Sequence, residues 1–306
     1  MEREDILLAE IPALGGLYAT GARQSVRLTR QQRREGHVGD LPHVVHEVAG
    51  AEFDAGQLSA YQHLLGIEAR DAAPAGFVHI AAFPVATSVM VREDFPLPLL
   101  GMVHISNRVE QFAPVVLGEK FGVRAWAQDL RPHRRGALVD VVSEVRVADE
   151  PRWRGTSTYL AKGVSVPFAA HGGVAEDAAE SDEQAEVTLP RQSGLWKLSA
   201  SIGREYGAVS GDRNPIHLSA LSAKALGFPR AIAHGMYTAA RALAVIDPVH
   251  SVGEQFVWTV DFAKPVFLPG TVAFGSEPLA GGAGWRYAGW HPKKGKLHFS
   301  GQVTSS

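Results

Sequence analysis

The chain has 306 residues, 45% of them hydrophobic, and a formal net charge of -2. That length suits about two globular domains of roughly 100–200 residues, and the near-neutral charge gives no general electrostatic case for nucleic acid. Cysteine is absent, which excludes disulfides, thiol nucleophiles and zinc–thiolate sites together. No run of about 18 apolar residues occurs, so no membrane span is expected. The charged start MEREDILLAE has neither the apolar h-region nor the cleavage pattern of a secretory signal, and a cytoplasmic protein is expected.

Residues 1 to about 40 mix apolar and basic residues, Arg30 to Arg34 included, without a clear period. They read as a solvated face or tail. His43, His46 and Glu47 have the order H-x-x-H-E, which does not place two imidazoles one helical turn apart around a base as H-E-x-x-H does, so a surface strand or loop is expected. A helix is predicted over Phe53 to Leu65, with Phe53, Leu58, Tyr61 and Leu65 on one side. The small, apolar run Phe77 to Val91 predicts a buried helix, with Pro84 kinking it or setting its start.

Then the period changes to two. Val103, Ile105, Asn107 and Val109 alternate, as do Phe121, Val123 and Ala125, then Val139 to Val147 around a break, and Thr156 to Val164 closes the series. Antiparallel strands are predicted. Arg131-Pro-His-Arg-Arg-Gly136 marks a basic hairpin tip, either a simple exposed turn or a contact for phosphates or an acidic carrier protein.

From Ala169 to Pro190 acidic residues collect with no basic or aromatic residue among Glu176 to Glu186, the composition of a flexible linker. It separates an N-terminal unit, 1–168, from a C-terminal unit, 191–306. The second unit repeats the plan of the first: helical segments near 215–226 and 235–247, then strand-like runs at Val257 to Ala263, Thr271 to Gly275, Trp285 to Trp290 and Lys296 to Val303. Phe112-Ala-Pro-Val-Val-Leu-Gly-Glu119 echoes Phe262-Ala-Lys-Pro-Val-Phe-Leu-Pro-Gly-Thr271, and Phe77-Val-His-Ile80 is aligned with Ile232-Ala-His-Gly235.

The chemistry-bearing stretch is Tyr206 to His217. Asn214 is the predicted N-cap and Pro215 the first helical residue. Leu218, Leu221 and Ala225 then form an apolar stripe that ends at Gly227. Asp212 lies just outside that helix and His217 just inside it, so a turn could aim both into one cleft; equally, Asp212 and Asn214 could be capping residues only. A second buried helix begins at His234-Gly235. A glycine there lets a ligand approach a free N–H at the positive end of the helix dipole, a candidate oxyanion donor.

Ser210-Gly211-Asp212, Asn214-Pro215, His217 and His234-Gly235-Met236 resemble the hydratase-2 signature of MaoC-like enoyl-thioester hydratases and 3-hydroxyacyl-thioester dehydratases. Leu130 to Asp140 and Val260 to Pro265 look like the two-domain actinobacterial type. The resemblance implies an α+β, double hot-dog fold, each half a long helix wrapped by an antiparallel sheet. It implies that Asp212 and His217 are the catalytic pair, that Asn214 supports them, and that the Gly235 N–H holds the thioester oxygen. Tyr206, Ser210 and His234 are further substrate-site candidates, with structural roles as the competing reading.

On this resemblance the chain hydrates trans-2-enoyl thioesters, or dehydrates (R)-3-hydroxyacyl thioesters, in fatty-acid metabolism. No metal or redox cofactor is expected; coenzyme A or acyl carrier protein enters as part of the substrate. The first half lacks any Asp-x-Asn-Pro-x-x-His, so it is expected to be non-catalytic and to make room for the acyl chain. A single-chain pseudo-dimer or a homodimer is expected. A hot-dog acyl-CoA thioesterase and a non-catalytic acyl-thioester binding protein are the alternatives.

Overall fold

The computed structural model describes residues 3–35, with side chains through 28, and residues 39–166 and 188–306. Two helices lie at the centre of the molecule: α3, Ala75–Met90, and α7, Gly235–Ile246. α3 is apolar all round and buried along nearly its whole length, as a helix enclosed on every side must be. Pro84 lies inside it and neither starts nor ends it.

Around the helices runs an 11-stranded sheet, in the order β1-β2-β4-β5-β6-β3-β8-β11-β10-β9-β7. In the first half β1 is Glu4–Leu8, β2 Val44–Ala51, β3 Met102–Gln111, β4 Phe121–His133, β5 Gly136–Val147 and β6 Glu150–Lys162. In the second, β7 is Gln192–Leu198, β8 Phe256–Phe262, β9 Gly270–Pro278, β10 Gly284–Trp290 and β11 Leu297–Ser305. Read outward from the centre, β3, β6, β5, β4, β2 on one side mirror β8, β11, β10, β9, β7 on the other. The two middle strands pair antiparallel from Ser106 opposite Asp261 to Gln111 opposite Phe256, which joins two hot-dog units into one sheet. β4 buries alternate residues, Phe121, Val123, Ala125 and Ala127, so its apolar period of two faces the enclosed helices.

The halves match in detail, but not in the register of the short helical echo. Isolated bridges Ala72 to Val116 and Ile232 to Phe267 occupy equivalent places. Ala73 N–H donates to the Val115 carbonyl at 2.9 Å as Ala233 N–H does to that of Val266 at 2.8 Å. α3 and α7 begin two residues after these donors, so Pro74-Ala75, not His79-Ile80, stands where His234-Gly235 stands. The preceding helices, α2, Ala55–Leu65, and α4, Ile202–Ser210, both end at a left-handed glycine, Gly66 and Gly211. From Gly211 to Ile232 the second half carries two short helices, α5, Pro215–Leu218, and α6, Ala220–Ala225; the first half passes directly from Gly66 to Ala72. The first half therefore lacks the segment that carries Asp212 and His217 in the second.

Several expectations are corrected. Residues 14–35 form a long helix, α1, whose buried positions Leu14, Gly21, Gln24, Ser25 and Leu28 have helical spacing but are mostly small or polar, so no apolar stripe announces them. His46 is not at the surface: it is buried in β2, and its Nδ1 lies 2.7 Å from Ser88 Oγ of α3. The predicted stripe over 215–226 breaks at Ser219, which caps α6, and Leu221 is 81% exposed. β5 runs unbroken, and the hairpin turn is only Arg134-Arg135; Arg131 lies within β4 and pairs with Asp129 and Asp140. The acidic linker predicted over 169–190 lies, up to residue 187, outside the described residues, as does the boundary it sets.

Candidate active site

The backbone around Asp212 and His217 is pressed against α4. A Cβ built on Gly203 would lie 2.1 Å from the His217 carbonyl oxygen, and one on Gly207 would lie 2.8 Å from that of Asp212. Two glycines one helical turn apart therefore let the site's main chain approach closely. Ser210 Oγ donates to the Tyr206 carbonyl at 2.8 Å and accepts the Asp212 N–H at 3.2 Å, fixing the turn out of α4. Asn214 caps α5: its side-chain oxygen accepts the Ile216 N–H at 3.3 Å, while its own backbone N–H donates to Asp212 Oδ1 at 3.1 Å. It thus holds the aspartate through the main chain.

His217 is buried, and its Nδ1 donates to the Ile232 carbonyl at 2.8 Å. A carbonyl only accepts, so Nδ1 carries the proton. Burial lowers the pKa of His217, partly offset by Asp212 and by the Ile232 carbonyl. The ring is therefore neutral near pH 7, with a lone pair on Nε2.

His234, the N-cap of α7, stacks on it with ring centroids 3.7 Å apart. Its Nε2 donates to the Asp212 backbone carbonyl at 3.0 Å and lies 3.7 Å from Asp212 Oδ2. Burial, with His217 alongside, brings its pKa down to about 3. Tyr206 is buried against His234, with centroids 4.9 Å apart.

Gly235 is the first residue of α7, where backbone N–H groups have no intrahelical acceptor; a Cβ there would meet the Phe262 ring at 2.9 Å. All seven residues singled out in the sequence thus converge on one place. Asp212, His217 and His234 bring ligand-capable atoms within 4.8 Å of one another. The two imidazoles stack at an interplanar angle of 24°.

Sequence reasoning missed a wall supplied by the first half. Tyr18 of α1 donates its hydroxyl to Asp212 Oδ1 at 2.6 Å. His79 of α3 and Tyr159 of β6 lie within the field of the same carboxylate. His104 of β3 stacks on Tyr159, with centroids 4.8 Å apart, and faces Phe262. Burial brings His79 down to about 4 and His104 to about 3, so both are neutral. These residues lie far from Asp212 in the sequence, and no local motif links them to it.

The MaoC like domain family matches residues 182–279, the part that contains α4 to α7. The 3-hydroxyacyl-thioester dehydratase X of Mycobacterium tuberculosis is 32% identical over 263 residues, 86% of this chain and 90% of the relative. The chain belongs to the MaoC-like dehydratases. The crystal structure of HtdX from Mycobacterium tuberculosis superposes with a TM-score of 0.72 at 30% identity, covering 86% of this chain and 100% of that one. Another Mycobacterium tuberculosis protein, described as a double hot-dog fold, gives a TM-score of 0.50 at 12% identity over 83% and 93% of the two chains. Two hot-dog units in one sheet are thus the architecture of this MaoC-like chain, as expected.

Proposed function

We propose that this enzyme is a hydro-lyase that interconverts 3-hydroxyacyl and trans-2-enoyl thioesters in fatty-acid metabolism, with Asp212 and His217 as its acid–base pair. The observation that carries the reading is the state of these two side chains. His217 is fixed through Nδ1, which leaves Nε2 to work, and Asp212 Oδ1 is held by two donors, which leaves Oδ2.

In hydration the pair takes a proton from the water that attacks C3 and returns a proton to C2; dehydration runs the same path backwards. Negative charge gathers on the thioester oxygen between the two steps. The Gly235 N–H, at the positive end of α7, is the donor for it, a type of contact whose loss typically costs about 10²–10³ in rate. His234 and Ser210 hold the Asp212 main chain, Tyr206 backs His234, and Asn214 supports both the carboxylate and α5.

Residues 191–306 carry the chemistry, and residues 1–168 make room for the acyl chain. Oxidation states are unchanged overall, so no redox cofactor is required, and Asp212 and His217 supply the proton transfers without a metal. Coenzyme A or acyl carrier protein arrives on the substrate, and (R) stereochemistry follows the family resemblance. Among the described residues no helix is long and apolar enough to cross a membrane, and a cytoplasmic site of action fits the cysteine-free chain. The paired halves suit a single chain working as its own pseudo-dimer.

Loss of enoyl absorbance on adding enzyme to crotonyl-CoA and to a longer enoyl-CoA, with chiral analysis of the product, tests this directly. Asp212→Asn and His217→Gln should each lower kcat/KM by at least about 10²-fold, the lower end of what a positioned acid or base contributes. Full activity in both variants would refute the assignment. Release of free thiol in place of hydration would make the protein a thioesterase, and binding without turnover would make it an acyl-thioester binding protein.

A further inference from the structure

α1 lies between β1 and β2 of the first half, yet it reaches the catalytic carboxylate of the second. Leu14 is buried, and its Cδ1 would lie 3.6 Å from a Cβ built on Gly211, the residue before Asp212. One turn on, the Tyr18 hydroxyl makes its 2.6 Å bond to Asp212 Oδ1. The rest of the described helix is fastened to the segment after α3. A Cβ on Gly21 would collide with Leu99, the Gln24 amide donates to the Arg92 and Phe95 carbonyls, and Ser25 Oγ accepts the Leu100 N–H at 3.0 Å. The bond to Asp212 is thus delivered by an element anchored in the other half.

We propose that Tyr18 is a positioning residue for the reaction, through which the half without a catalytic pair controls which oxygen of Asp212 does chemistry. A carboxylate turns readily about its Cβ–Cγ bond. Here the Tyr18 O–H and the Asn214 N–H both donate to Oδ1, and a short O–H···O⁻ bond belongs to the strong, charge-assisted class. The carboxylate is pinned, and Oδ2 is left as the proton-transferring atom.

The donor is permanent. Burial, then the neighbouring Asp212 charge, keeps the Tyr18 phenol well above the ordinary tyrosine value, so it does not ionise at any working pH. The other groups facing Asp212 are His217 of α5, His234 at the start of α7, Tyr206 of α4, His79 of α3 and Tyr159 of β6. Of these, only His234 is within ion-pair range of the carboxylate, at 3.7 Å from Oδ2, and it leaves Oδ1 to Tyr18 and Asn214.

The inference rests on Asp212 being the catalytic carboxylate, so Asp212→Asn is assayed beside Tyr18→Phe and Tyr18→Leu in the full chain with crotonyl-CoA. Phe keeps the ring that α1 uses for packing and deletes only the hydroxyl. Tyr18→Phe should lose about tenfold in kcat, the size of one charge-assisted hydrogen bond, with KM within about twofold and the melting temperature nearly unchanged. Tyr18→Leu should show the same kinetic loss together with a lower melting temperature.

A Phe variant with wild-type kcat, with only Leu impaired, would mean that the ring merely packs, and would overturn the proposal while leaving the mechanism standing. A change confined to KM would overturn it as well. If Asp212→Asn is fully active, the acid–base assignment itself fails and the role of Tyr18 falls with it.

Discussion

Replacing Gly203 by alanine tests whether the site is built by close contact between helices. The added Cβ would lie 2.1 Å from the His217 carbonyl oxygen, with Leu268 also 3.4 Å away. Ordinary contacts start at 3.4 Å, so α4 and α5 must separate by roughly 1 Å, a displacement that can cost about 10²-fold in rate when it reaches reacting groups. α4 is also tied to α2, where the Gln57 amide donates to the Val209 carbonyl at 2.7 Å. We therefore expect kcat/KM on crotonyl-CoA to fall about 100-fold. Overpacking of this kind also destabilises by about 1–3 kcal/mol, visible as a melting temperature lower by several degrees. Gly207→Ala, whose Cβ would lie 2.8 Å from the Asp212 carbonyl, should be milder in both readouts. Gly16→Ala in α1, where a Cβ meets nothing within 4 Å, is the control and should gain about 0.5–1 kcal/mol. Wild-type kcat/KM in Gly203→Ala, or a larger loss in Gly207→Ala, would refute the contact argument.

Acid stability should follow from the buried histidines. His79, His104 and His234 are held at about 4, about 3 and about 3, chiefly by burial, and His217 is lowered too. Each titrates near 6.5 when unfolded, so between that value and the folded one the unfolded state binds more protons. Stability should then fall as pH falls, by up to about 1.4 kcal/mol per pH unit for each histidine. Melting temperatures should be steady above about pH 7 and decline from about 6.5 towards 4, and His104→Phe should flatten that decline by about one proton; an unaltered slope contradicts the cause given. Gly235→Ala keeps the backbone N–H but drives a Cβ to 2.9 Å from the Phe262 ring. kcat/KM should drop about tenfold through misplacement and recover in the double variant with Phe262→Leu; no loss in the single variant would show that the approach to Gly235 is not tight.

Much of the site was legible because its parts are close in sequence. Asn214 before Pro215 announces a capped helix start, and Asp212 and His217 flank it. His234-Gly235 marks the next helix start. The halves were legible from strand periodicity. The register of the helical echo was not: α3 is apolar on every side, so a slide of a few residues changes nothing in its pattern, and only the bridges at Ala72 and Ile232 fix the match. α1 was missed because glycine, glutamine and serine occupy its buried positions. With it went Tyr18, which meets Asp212 across 194 residues, a contact written in topology and not in any local spacing.

The β3–β8 seam also has a consequence for behaviour in dilute solution. When two hot-dog units are separate molecules, a site assembled from both comes apart as the protein is diluted, and turnover per unit then depends on concentration. Here both sides of the seam belong to one chain, so they meet at a fixed effective concentration set by their tether. A hydroxyl from one unit and a carboxylate from the other stay together however scarce the enzyme becomes. Fusion also lets each substitution fall on one unit at a time. Pro74-Ala75 and the direct passage from Gly66 to Ala72 can persist on one side while His234-Gly235 and α5 persist on the other, a division of labour that a symmetric pair of identical chains cannot make.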